Sequence, residues 1–81
     1  MKMIEITICI VNYNVKSYLE QALHSIKKAL ERINSEIYVI DNASTDGSVE
    51  MIRSLFPEVK LIQNKDNVGF AKANNQAIKK A

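Results

Sequence analysis

Three short stretches hold the residues with chemistry to offer: "VNYN" at 11–14, "DNAST" at 41–45 and "NKDNVG" at 64–69. They carry Val11, Asn12, Tyr13, Asn14, Asp41, Asn42, Asn64, Asp66, Asn67 and Gly69. A carboxylate beside an amide, as at Asp41 and Asn42, suits a nucleobase edge: the carboxylate accepts from a ring N–H, and the amide both donates and accepts. Uracil or thymine fits that pattern. The same residues have a local use as well, because Asp41, Asn42, Ser44, Thr45 and Asp46 can form Asx-type turns and cap the helix that follows. Residue type alone leaves both readings open, and Asp46 caps under either.

Other chemistries lack their parts. "NYNVKS" contains no glycine and the chain has no GxxxxGK[ST], so neither a dinucleotide fingerprint nor a P-loop is present. A single His and a single Cys exclude the usual metal clusters and Cys/His nucleophiles. His24 borders an apolar helical stripe and reads as a surface or boundary residue. Lys27, Lys28, Lys79 and Lys80 read as solvated helix faces, whereas Lys72 stands where a phosphate at a helix N-terminus is within reach.

The elements that must position these residues follow from periodicity. Residues 4–11, "IEITICIV", are β-branched and apolar on both faces, the pattern of a covered strand in a parallel sheet, and composition makes this the central strand. A helix follows, with Ser17 and Glu20 at capping-box spacing and Val15, Leu19, Ala22, Leu23, Ile26, Leu30 and Ile33 on one face. "EIYVID" is a second strand. A second helix starts near Ser48, carries Val49, Ile52, Leu55 and Phe56, and is stopped by Pro57. "VKLIQN", 59–64, is a third strand, and a third helix carries Phe70, Ala73, Ala77, Ile78 and Ala81 on its apolar face. The βαβαβα order predicts three parallel strands joined by right-handed crossovers, half of a doubly wound α/β sheet. The loops at the carboxyl ends of such strands converge, which would bring the polar stretches into one crevice.

The 81 residues fit one domain at most. Eleven Lys and Arg against nine Asp and Glu give a net charge of +2, scattered along the chain, and there is no Trp; nucleic-acid binding is not favoured. The lone Cys9, within an apolar run, fits a buried small side chain in a reducing, cytoplasmic setting. Glu5 and Asn12 bound the N-terminal apolar run below signal or membrane length, so no membrane segment is expected here, although a longer parent protein can still associate with a membrane. The third helix ends in "IKKA" without a stop signal, which predicts a truncated unit and an open edge on strand one through which copies of the chain would self-associate as a homo-oligomer.

"ITICIVNYN", "YVIDNASTDGSVEMI" and "LIQNKDNVGFAKANNQAI", in that order and spacing, resemble the N-terminal nucleotide-binding portion of family 2 glycosyltransferases of the GT-A fold. The chain is most similar to the branch with "VNYN" and "DNASTDGS", which includes rhamnosyltransferase-like enzymes of bacterial polysaccharide synthesis. The resemblance implies that residues 1–81 are an incomplete Rossmann-like half of that fold. It also implies that the parent transfers a sugar, with inversion, from a UDP- or dTDP-sugar donor to a saccharide or lipid-linked acceptor. Position by position, it places Val11 and Tyr13 at the base and ribose pocket and Asp41 and Asn42 at the acidic pair that contacts uracil or thymine. The second of that pair is an amide here. Asn67, Gly69 and Phe70 match the "N.GF" entry to the third helix. Asn74 stands where many members have an arginine near the diphosphate, and Lys72 is the substitute cation. The Asp-x-Asp element that holds Mg²⁺ or Mn²⁺ and the later carboxylate base are not in the chain, so the isolated 81 residues should hold no metal and be inactive. A noncatalytic α/β module that binds nucleotide or supports protein association is the alternative.

Overall fold

β-Branched runs alternate with segments of helical period, and the computed structural model, which describes residues 3–81, follows that alternation. The order is β1 (Ile6–Asn12), α1 (Lys16–Ala29), β2 (Ser35–Asn42), α2 (Ser48–Leu55), β3 (Lys60–Asn64) and α3 (Phe70–Lys80). All pairings are parallel and the sheet order is β1-β2-β3. The register sets Asn12 beside Asp41, Asp41 beside Gln63, and Asn42 beside Asn64, so the polar ends of the strands finish in line.

Among the described residues the middle strand is β2, not the β1 that composition suggested. Ile37 through Asn42 are all buried, whereas Ile8, Cys9, Ile10 and Val11 of β1 are half-buried and Ile6 is exposed. Apolar composition reports cover on the two faces of a strand and is blind to whether its edge is paired, which is why the richer run is not the inner one.

Side chains alternate across the sheet and divide the core in two. Ile37 and Val39 of β2 meet Leu19 and Leu23 of α1, Met51 and Ile52 of α2, and Phe56. Tyr38 and Ile40 face the other way, onto Ala73 and Ala77 of α3, with Cys9, Val11, Ile62 and Val68 around them. Cys9, expected to be buried, is half-buried and packs against this second cluster from the edge of β1.

Three helix details differ from the expected pattern. α1 begins at Lys16 with Val15 as N-cap and no capping bond from its own side chains, so the Ser17–Glu20 box does not form; the Lys16 N–H is taken by Asp46 from the next loop. Val15 at the head of α1 and Leu55 at the end of α2 are about half exposed, while Met51 takes a core position on α2. On α3 only Ala73 and Ala77 are buried, leaving Phe70 and Ile78 70% and 63% exposed. Two alanines let the helix backbone approach β1 and β2, and the larger side chains sit on its flank.

Candidate functional site

Asp41 closes β2 and is 1% exposed. Its Oδ1 accepts from Asn12 Nδ2 at 2.8 Å and its Oδ2 accepts from the Ser44 backbone N–H at 2.9 Å, the Asx-type turn open to it from sequence. Ser44 then ties the β1–α1 loop to the β2–α2 loop: its Oγ accepts from Asn12 Nδ2 at 3.2 Å and from the Asn14 N–H at 2.9 Å. Asn14 answers with its own Oδ1, which accepts from the Thr45 N–H at 2.7 Å. Two residues of this knot adopt positive φ, Asn14 at 50° and Ala43 at 66°. Asn tolerates that region, but for alanine it is a strained conformation, held by the bonds on either side of it.

Asp46 completes the joint between the loops. Its Oδ2 accepts from the Lys16 N–H at the start of α1, and its Oδ1 accepts from the Ser48 N–H at 3.1 Å and from the Ser48 hydroxyl. One carboxylate therefore accepts from the first N–H of two helices that begin 32 residues apart in sequence. The Ser48 hydroxyl, ahead of the backbone N–H groups, holds the Asp46 carboxyl below its ordinary value. Sequence reasoning finds the α2 cap; the α1 cap needs the parallel register, which no local spacing encodes.

Asn42 points to the opposite face from Asp41, because neighbouring side chains on a strand diverge. It is 2% exposed, its Oδ1 accepts from Asn64 Nδ2 at 2.9 Å and its Nδ2 donates to the Gly69 carbonyl at 3.4 Å. Asn64 and Gln76 of α3 exchange paired amide bonds of 2.9 and 3.0 Å. Asn67 Oδ1 accepts from the Gly69 N–H at 2.9 Å, and Gly69 has φ 84° and ψ 169°, a region open essentially to glycine alone. Since nothing lies within 4 Å of where a Cβ would sit, backbone conformation and not space calls for glycine there.

The expected site residues thus fall into two sets. Asp41, Asn42 and Asn67 have side chains engaged in bonds that shape the loops, and Val11 is half-buried under α3. Tyr13, 51% exposed, and Lys72, exposed in the first turn of α3, are open to a ligand, and Asn74 is half-buried on α3. Asp41 and Asn42 do not form a side-by-side pair on one face. A hollow of about 510 Å³ lies among Ala43, Ser44, Gln63, Asn64 and Lys65, and another of about 400 Å³ among residues 14–18 and Asp46. Asn12, fully buried, is the residue whose part the strand pattern hides: its Oδ1 is the buried side-chain polar atom without a partner among the described residues.

Among the described residues no group of three or more His, Cys, Asp or Glu side chains is placed to hold a metal ion, and the carboxylates of Asp41 and Asp46 are already engaged. The side chains present do not fit a resident cation. Nor, among the described residues, is any helix long and apolar enough to cross a membrane.

The family model described as "Glycosyl transferase family 2" matches residues 7–81. Abequosyltransferase RfbV of Salmonella typhimurium is 50% identical over 48 residues, covering 58% of this chain and 14% of its own. The N-acetylglucosaminyl-diphospho-decaprenol L-rhamnosyltransferase of Mycobacterium tuberculosis is 35% identical over 68 residues, 84% of this chain and 22% of its own. Among solved structures, the mannosyltransferase PcManGT from Pyrobaculum calidifontis, in complex with GDP-Man and Mn²⁺, superposes with a TM-score of 0.81 at 29% identity, over 94% of this chain and 24% of that one. The chain spans less than a quarter of the length of each of these relatives.

Proposed function

The chain belongs to glycosyltransferase family 2, and on that footing we propose that residues 1–81 form the nucleotide-sugar-binding portion of a transferase whose donor is a UDP- or dTDP-sugar. The acceptor is a saccharide or lipid-linked saccharide and the transfer inverts the anomeric centre. The observation that carries this reading is the convergence of three loops at the carboxyl edge of the sheet, knotted by Ser44, Asp46 and Asn42, with Tyr13 and Lys72 left open beside them. In an open α/β sheet that edge is where ligands bind. Tyr13 offers a ring face to the base and Lys72 a cation to the diphosphate. Mg²⁺ or Mn²⁺ and the base that takes the acceptor's proton come from parts of the transferase other than these 81 residues, and the isolated chain does not turn donor over.

Asp41 is a poor probe of this reading, because removing it strands the Asn12 amide and the Ser44 N–H and disturbs folding as well as binding. Tyr13 is the better one. Calorimetric titration with UDP, dTDP and GDP should show a pyrimidine preference that Tyr13→Ala weakens by roughly tenfold, the worth of a base stacked on an aromatic ring. Equal affinity for GDP, or indifference to Tyr13→Ala, would contradict it. The internal saturation of Asp41 and Asn42 favours a second reading, a noncatalytic module that supports protein association, and the absence of any nucleotide binding leaves that one standing.

A further inference from the structure

The β1–α1 loop leans on the β2–α2 loop at every second residue. Asn12 gives its Nδ2 to Asp41 and to the Ser44 hydroxyl, Asn14 gives its N–H to the same hydroxyl and takes the Thr45 N–H, and Lys16 gives its N–H to Asp46. The residues between these anchors, Tyr13 and Val15, are about half exposed. Tyr13 therefore stands between two fixed neighbours, and Ser44 is the residue those neighbours share. Its Oγ accepts from Asn12 Nδ2 at 3.2 Å and from the Asn14 N–H at 2.9 Å, which occupies both acceptor positions of a hydroxyl. Its own N–H is given to Asp41 Oδ2 at 2.9 Å, so the hydroxyl is placed from the buried end of β2. The Asn14 N–H belongs to the planar peptide that joins Tyr13 to Asn14, and Asn14 itself has φ 50°. Asparagine visits that left-handed conformation where local bonds support it, and here Ser44 and Thr45 supply them.

We propose that Ser44 is the positioning residue for Tyr13: its hydroxyl oxygen holds the backbone on both sides of the ring and so presents the ring, already ordered, to the donor's base. The inference rests on the reading of Tyr13 as the face offered to that base. A ring on a free loop has to be ordered when a base stacks on it, and the freedom lost then is subtracted from the affinity. Pinning Asn12 and Asn14 to one oxygen removes most of that loss before the donor arrives. The role is separable from folding. Alanine at position 44 keeps the backbone N–H that Asp41 accepts, and Asn12 keeps its bond to the Asp41 carboxylate, so the end of β2 and its pairing with β1 survive. What alanine removes is the acceptor for the exposed Asn14 N–H, which can turn to water instead, and with it the hold on the peptide after Tyr13. Threonine at the same position restores the hydroxyl.

Calorimetric titration with UDP of the wild-type chain, Tyr13→Ala, Ser44→Ala and the double variant tests it, alongside backbone amide relaxation of the nucleotide-free proteins. Ser44→Ala should weaken UDP by roughly threefold to tenfold, the upper bound being what a base stacked on an aromatic ring contributes. It should add nothing to Tyr13→Ala, because a residue that acts only through the ring has no effect once the ring is gone. Ser44→Thr should bind as the wild type does. Without nucleotide, Ser44→Ala should lower the order parameters of the Tyr13 and Asn14 amides and leave those of β1 and β2 unchanged. Unchanged order at Tyr13 and Asn14, wild-type UDP affinity in Ser44→Ala, or a failure of Ser44→Thr to restore affinity would each overturn the proposal. So would a loss of full size when position 13 is already alanine, since the hydroxyl would then be acting on the ligand itself. A wild-type chain that binds no UDP overturns the donor-site reading instead, while the relaxation data decide by themselves whether Ser44 holds the Tyr13 loop, so the two failures are distinguishable.

Discussion

Asp46 accepts from the first N–H of α1 with one carboxylate oxygen and from the start of α2 with the other. Asp46→Ala should lower the urea midpoint by the equivalent of about 1–2 kcal/mol, as loss of a cap does, and hydrogen exchange should quicken at both Lys16 and Ser48. The pH dependence has a definite sign. The Ser48 hydroxyl and the backbone N–H groups depress the folded-state value of Asp46, so its contribution is complete above the unfolded value and is lost as pH falls through the folded one. Glu58, held down first by Lys27, and Glu36, held down first by Lys60 and then Thr7, titrate in the same direction, so Asp46→Ala should shrink the acid loss of stability without abolishing it. At this scale the sequence identifies which residues are polar at the strand ends, and even that Asp46 caps. It does not reveal that Asp41 and Asn42 diverge, although alternation along a strand requires it, because the motif reads as a pair while the backbone treats its members as opposite faces.

Elements were legible where periodicity and packing agree. The period of α3 marks a helix, and its apolar positions divide by size: the two alanines meet the sheet, whereas Phe70 and Ile78 stand clear of it. A pattern of hydrophobic residues cannot distinguish a face that packs on this sheet from one that awaits another surface. The close approach at Ala77 makes a measurable demand. With no exposed surface and a position over Tyr38 and Ile40, Ala77→Leu should cost about 1–3 kcal/mol by overpacking, seen as a lower denaturation midpoint with an unchanged slope. A change within a few tenths of that unit would mean that α3 rides more loosely on the sheet. The start of α1 shows the other limit of local reading. Its cap is supplied across the loops by Asp46, so the sequence around Ser17 and Glu20 suggests a box that the fold has no need of.

For the whole molecule, the parallel three-stranded architecture and its family were readable, because three motifs in fixed order specify both. The open edge expected of strand one is also seen among the described residues, whereas its apolar composition, which pointed to a central strand, does not report edge pairing. The account rests on the carboxyl edge of the sheet being the nucleotide site, while a separate hollow of about 380 Å³ at the other end, floored by Ile4, Leu30 and Ile37, has Lys27 and Lys60 already paired with Glu58 and Glu36. Backbone amide shift mapping during titration with UDP compares the two ends directly. The account predicts perturbations at residues 12–14, 41–45 and 64–72, with Ile4, Leu30 and Ile37 unmoved. Shifts gathered around that opposite hollow, or none at the strand ends at saturating nucleotide, would contradict it.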